Sequence, residues 1–470
     1  MILKKFISIT LLIIMAVLAI AGCTNEPSNT PNSSEKEESS DKPGNVNKDP
    51  GEEPGNVNEE SAETNDNELF IYTGDQLFNK RYVDEDDFEM LIGQFIKKKF
   101  PNIVVKHVQW DDGNRYEDLV AKQTFPDIIL EDVRRNTHRY VKRYNLQYDM
   151  SELIKKYNFD TSKLDPAFLQ MSKNASDGEL YSLPFEGSEY LLYYNKDIFD
   201  KFGVDYPKPG MTYDEIYELA KKLTRQEGDI TYKGYQQHPE YYMMLNQLSE
   251  PALDPIEDKA SLLSDNWSKI VNNLRRFYDI PGNQFTTVKD FPKGQIAMAV
   301  DVEQGIVDYA TNYKDLNFDI APVPLFQEAS NSKYQPYSYG AFITNQSKKK
   351  DLAFEVLAYL LSEEIQIERS KLGISSPLNS DAVRAAYLQS VPEMKGKQLQ
   401  SIFALDSAMP APRKPGLTFI DPKVRNVFNP LIFEESKDSQ TALRVANEEM
   451  NKAIDETRAV QKEGGVSPHL

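Results

Sequence analysis

Between residues 24 and 68 the chain has no aromatic side chain, and its only aliphatic ones are Val46, Val57 and Ala62. Such a tract cannot bury enough apolar surface to offset the entropy of ordering it. The composition predicts disorder there, so the fold must come from residues 69–470. The tract is also acidic, with 13 carboxylates against 3 lysines. It therefore carries −10 of the chain's formal −19, and residues 69–470 keep about −11. That balance argues against nucleic acid as a partner and against adsorption on anionic lipid. The pentapeptide PGNVN occurs at 43–47 and again at 54–58. It reads as low-complexity drift rather than as a recognition motif.

Upstream stand Lys4 and Lys5, then the apolar run FISITLLIIMAVLAIA (6–21), then Gly22 and Cys23, the only cysteine. A positive start followed by a short apolar run is the pattern of a signal peptide. The run is shorter than the roughly 20 residues of a membrane-spanning helix. A lone cysteine excludes an internal disulfide and a multi-cysteine zinc site. The segment IAGC (20–23) resembles the cleavage site of bacterial lipoproteins. That resemblance implies that Cys23 becomes the first mature residue and carries a lipid on its sulfur. A diacyl group supplies two chains, enough for stable anchoring. The expected location is the outer, extracellular face of the cell membrane, with 1–22 as signal peptide and 23–67 as an acidic tether.

Beyond the tether, strands and helices alternate. LFIYTGD (69–75) is an apolar run ending in a turn, hence a strand. Residues 84–99 place Phe88, Leu91, Ile92, Phe95 and Ile96 on one helical face. NIVVKHVQW (102–110) and FPDIILED (125–132) read as further strands, with the short helix DLVAKQ between them. This β-α-β-α-β order predicts a mainly parallel sheet. Thr212 and Glu215 form a capping box before Ile216, Leu219, Ala220 and Leu223. QIAMAVD (295–301) and GAFITN (340–345) are later strands, and residues 352–361 form an amphipathic helix.

The segment GELYSLPFEGSEYLLYYNKDIFDKFGVDYPKPGMTYDEI (178–216), with its Tyr194-Asn195-Lys196 turn, resembles the signature region of extracellular solute-binding proteins of the maltose-binding type. FPDIILEDVRR, FPKGQIAMAVD, FDIAPVPLF and GAFITNQSKKKDLAFEVLAYLLSEEIQ follow in the family's order. The resemblance implies an α/β fold of two lobes (type II), with mainly parallel sheets, hinge crossings and a cleft between the lobes. Lobe one is expected over 68–184 and 302–347, lobe two over 185–301 and 348–470. Implied partners are a small polar solute and the permease subunits of an ABC importer. No cofactor or metal is implied, and a monomer is expected.

The resemblance also suggests ligand-binding positions. Asp75 follows the first strand, where the family has a Gly-Asp whose carboxylate bonds sugar hydroxyls. Glu131, Asp132 and Arg134 follow PDII. Glu186 and Ser188 sit in the first crossing, and Asp301 and Glu303 in the second. Tyr241 falls where the family often offers a stacking ring. The tryptophan platform of sugar-binding relatives is missing after AMAV, where this chain reads DVEQGIV. With only Trp110 and Trp267 present, stacking must come from tyrosines or Phe419. So many carboxylates suit a hydroxyl-rich or cationic ligand and disfavour an anionic one.

Enzyme signatures are absent from the sequence: it has no HExxH, Walker loop or GxGxxG. A carboxylate pair such as Glu186 and Glu189 leaves a glycosidase open as an alternative. A surface lipoprotein acting through a protein partner, as a sensor or adhesin, is the other. The expectation is capture of a solute, most simply a sugar or oligosaccharide, by hinge closure.

Overall fold

The computed structural model describes residues 67–74, 85–422 and 438–470. The expected signal peptide, the tether, Cys23 and Asp75 lie outside them. In chain order the strands are β1 (Glu68–Thr73), β2 (Val104–Gln109), β3 (Ile128–Asp132), β4 (Ser182–Ser188), β5 (Tyr190–Asn195), β6 (Arg225–Glu227) and β7 (Ile230–Tyr232). They continue with β8 (Gln236–Gln237), β9 (Met298–Val302), β10 (Phe318–Pro322), β11 (Ser332–Lys333), β12 (Tyr337–Ile343) and β13 (Asp406–Ser407).

Two sheets organise the chain. The first has the order β2-β1-β3-β12-β4, the second β10-β5-β9-β8. β1, β2 and β3 are parallel, as their alternation with helices predicts. β12 instead runs antiparallel to both β3 and β4. In the second sheet β5 is antiparallel to β9 and β10, and only β8 and β9 are parallel. The sheets are thus mixed rather than mainly parallel. Strands that recross between lobes return in the opposite direction.

β3, β4, β5 and β12 are buried along their whole lengths, which explains their unbroken apolar runs. Two strand-to-strand connections join the sheets: Glu189 between β4 and β5, and the chain from β10 to β12. Two placements differ from the expected lobes. β10, expected with lobe one, pairs with β5 in the second sheet. The helix Lys350–Leu360, expected with lobe two, packs on β12 and on the helix Gln94–Lys99.

The helix expected over 84–99 forms as Glu85–Phe88 and Gln94–Lys99 around a π-helical turn, Glu89–Gly93. Thr212 caps the helix Tyr213–Leu223, and both halves of its capping box are present. The helix Ser439–Lys462 packs on the helix Asp265–Tyr278. Its Asn447 and Asn451 accept bonds from the backbone of Leu262 and Ala260.

Before that helix, residues 408–422 form a strap across the two lobes. On the first side, the side chain of Asn174 bonds the Ala411 carbonyl and the Arg413 amide. On the second side, the Lys414 amide donates to the Pro255 carbonyl, and Asp258 accepts from the Thr418 amide at 2.6 Å.

Candidate functional site

β3 ends in two carboxylates that leave opposite faces of the strand. Glu131 is fully buried. It accepts from the Tyr116 hydroxyl at 2.9 Å, and from the Asp132 amide and Asn136 Nδ2 at 2.8 Å each. Burial, with Glu131 beside it, pushes the Tyr116 phenol well up, so it remains a donor. A Cβ at Gly74 would stand 2.0 Å from Glu131 Oε2. Glycine is required there because the carboxylate fills the space at the end of β1. Asp132, also buried, accepts from the Tyr337 hydroxyl and from the Arg135 amide.

The crossings consume the next carboxylates. Glu186, expected at the ligand, lies in the core as a fully buried ion pair with Arg369. Arg369 also donates from Nε to the Leu91 carbonyl and lies over the Phe185 ring at 4.4 Å. The sequence reading misses this because Arg369 stands 183 residues away, on the polar-looking helix Glu363–Lys371. Glu303 accepts from the Ser188 hydroxyl at 3.0 Å and from the Glu189 amide. It therefore ties the first crossing to the end of β9, and neither Ser188 nor Glu303 is exposed. Asp301 accepts from the Val302 amide at 2.9 Å and the Tyr309 hydroxyl at 3.3 Å. The carboxylates singled out from the sequence, Asp75 apart, are thus held by donors of the protein itself. For the buried Glu131, Asp132, Glu186 and Glu303, the expectation that they select a cationic or hydroxyl-rich ligand loses its basis, while Asp301 stays half-exposed.

A cavity of about 160 Å³ is walled by both lobes and the strap. Arg134 and Asn174 come from the first side, Met243, Met244 and Trp267 from the second, and Arg413 and Phe419 from the strap. Of the residues singled out from the sequence, Arg134 and Phe419 meet here. Phe419 stacks on His138, with centroids 4.2 Å apart and planes 9° from parallel. Burial, together with the charge of Lys142, pushes the His138 imidazole down to about 3. Tyr241 is half-buried close by, its ring edge-on to Tyr337 at 6.1 Å and tilted against Tyr190 at 5.5 Å.

Sequence reasoning missed Arg413, Asn174 and the two methionines. Arg413 lies in a Pro-rich stretch, PAPRKPG, which looks like an ordinary loop. Among the described residues no group of three or more His, Cys, Asp or Glu side chains could hold a metal ion. None of their helices is long and apolar enough to cross a membrane.

The sequence profile of the bacterial extracellular solute-binding proteins matches residues 82–367, more than half of the chain. The sn-glycerol-3-phosphate-binding periplasmic protein UgpB of Rhizobium meliloti is 22% identical over 325 residues, 65% of this chain and 75% of that relative. The arabinooligosaccharide-binding protein of Halalkalibacterium halodurans is 26% identical over 223 residues, 43% of this chain and 48% of its own. An ABC substrate-binding protein of Listeria monocytogenes, solved with cycloalternan, superposes with a TM-score of 0.63 at 18% identity. That alignment covers 83% of this chain and 99% of the other. Two mixed sheets joined by two crossings, and a cavity that both sides line, agree with the sequence match. The chain belongs to the bacterial extracellular solute-binding proteins, non-enzymatic receptors that capture a solute for import by an ABC transporter.

Proposed function

We propose that the protein takes a small polyhydroxylated solute into the cavity between its lobes, closes on it by rotation about the crossings, and presents it to its permease. The observation that carries this reading is the cavity itself, which draws lining residues from both lobes and from the strap. A ligand touching both sides favours the closed arrangement by its extra contacts there. The relatives' ligands, glycerol 3-phosphate, an arabinooligosaccharide and cycloalternan, are all rich in hydroxyl groups. A lipid on Cys23, with the acidic tether, would hold the protein, as a monomer, at the outer face of the cell membrane.

Calorimetric titration with neutral sugars, polyols and their phosphate esters tests the capture reading. Stoichiometric heat without turnover is expected, and turnover of any glycan would overturn it. For the anchor, Cys23→Ser should release the protein into the medium or leave it unprocessed. Membrane partitioning equal to wild type would remove the lipid from the account.

A further inference from the structure

Among the described residues, every charged side chain lining the cavity belongs to Arg134, Glu250 or Arg413. Glu250 is already satisfied. It accepts from the Ser264 hydroxyl at 2.6 Å and from Asn266 Nδ2 at 3.1 Å. The arginines are not. Arg134 Nε is buried without a partner, and its ion-pair contact, Nη1 to Asp421 Oδ1, is 3.8 Å long. That is beyond hydrogen-bond reach. Asp421 is shared with Arg135, again loosely, at 3.9 Å. Arg413 donates from Nη2 to the Thr418 carbonyl at 2.6 Å, while its Nε is buried without a partner. The carboxylates that face Arg413 are engaged elsewhere: Asp177 by Lys142, and Asp258 by the Thr418 amide and by Arg458 at 3.7 Å. A guanidinium offers five N–H donors in a planar fork. Leaving the Nε–H of each unmet where it is buried costs free energy that an incoming acceptor would recover.

We propose that this cavity is an oxyanion site, and that the captured solute is compact and carries a phosphate or carboxylate group held between Arg134 and Arg413. The inference rests on the cavity being the solute site. It replaces the ligand chemistry suggested by the carboxylates with the one suggested by the groups that still have bonds to give. Size points the same way. About 160 Å³ is well below the roughly 300–1,000 Å³ of sites for drug-sized ligands, so a three- to six-carbon body fits better than an oligosaccharide. Met243, Met244, Pro410 and Phe419 give that body an apolar surround. The anion would also draw the strap toward the loop after β3.

The test titrates inorganic phosphate, then glycerol 3-phosphate against glycerol and glucuronate against glucose, into the full mature chain. Inorganic phosphate should bind measurably, and the charged member of at least one pair should bind at least tenfold more tightly than its neutral partner. Which pair responds decides between a phosphate ester and a carboxylate. Arg134→Gln and Arg413→Gln should each weaken the charged ligand by about ten- to a hundredfold, the loss of one charge-assisted bond. Arg134→Lys should recover part of that loss, which separates a binding role from a folding one. Melting curves identify any variant that fails to fold, and Arg413, on the strap, is the second reporter. Binding of glucose or glycerol that ignores both glutamine variants, with none of the anions bound, would overturn the oxyanion site and leave solute capture standing. Absence of heat from every probe would count against both readings.

Discussion

Arg369 places a charge where water cannot reach it, and Glu186 makes that charge tolerable. Both side chains are 0% exposed. Removing one member of such a pair leaves the other buried without its counter-charge, at about 3–5 kcal/mol. Glu186→Ala should therefore lower the unfolding free energy by about that amount in a denaturant melt, while the folded fraction binds solute with unchanged affinity. A ligand-contacting carboxylate would behave the opposite way. His138 supplies a second test, because its surroundings reject a proton. The unfolded chain protonates this imidazole below about 6.5, whereas the folded protein resists until about 3. Between those values the unfolded state holds the extra proton, so stability falls with falling pH by about 1.4 kcal/mol per unit from this group. His138→Phe preserves a ring against Phe419 and removes the titration. Its plot of stability against pH should be shallower than wild type from pH 6.5 down to 4, and parallel above 7.5.

β12 is the element on which the first sheet depends, lying between β3 and β4. At its middle, Gly340 allows close approach. A Cβ there would sit 2.6 Å from Val133 Cγ2 and 2.8 Å from Ser182 Cβ. Gly340→Ala should destabilise by about 1–3 kcal/mol, the usual cost of overpacking, seen as a lower denaturation midpoint with an unchanged slope. Local periodicity makes several elements legible from sequence. Phe88, Leu91, Ile92, Phe95 and Ile96 are all buried as their spacing requires. The π turn within that helix leaves no mark in the sequence, since one widened turn keeps the same residues facing inward. The capping box at Thr212 is equally readable, because both partners lie within three residues. What cannot be read is pairing at long range. Nothing in GAFITN says that it runs antiparallel between two earlier strands. Nothing in SLPFEGS says that its glutamate meets an arginine rather than a ligand. The site suffers most, because carboxylates near strand ends look alike whether they face a gap or a guanidinium.

The whole molecule moves about its crossings, and Glu303 fastens the first of them to the end of β9. Its carboxylate takes the Ser188 hydroxyl from one crossing strand and the Glu189 amide just beyond it. Charge-assisted bonds contribute roughly 1.5–3 kcal/mol each. Glu303→Ala should lower the melting temperature. In small-angle scattering it should raise the radius of gyration of the ligand-free protein, and saturating ligand should bring variant and wild type to the same compact value. Identical ligand-free profiles would mean that this carboxylate does not hold the hinge. The strand order has a consequence for the chain as it is made. β3 and β4 have no pairing with each other, and the strand that joins them ends at Ile343. Until that stretch emerges, a growing chain carries both strands with an open edge, and the bond from Tyr337 to Asp132 must close a separation of 205 residues. Long-range closures of this kind are slow, so the polypeptide stays unfinished through most of its synthesis.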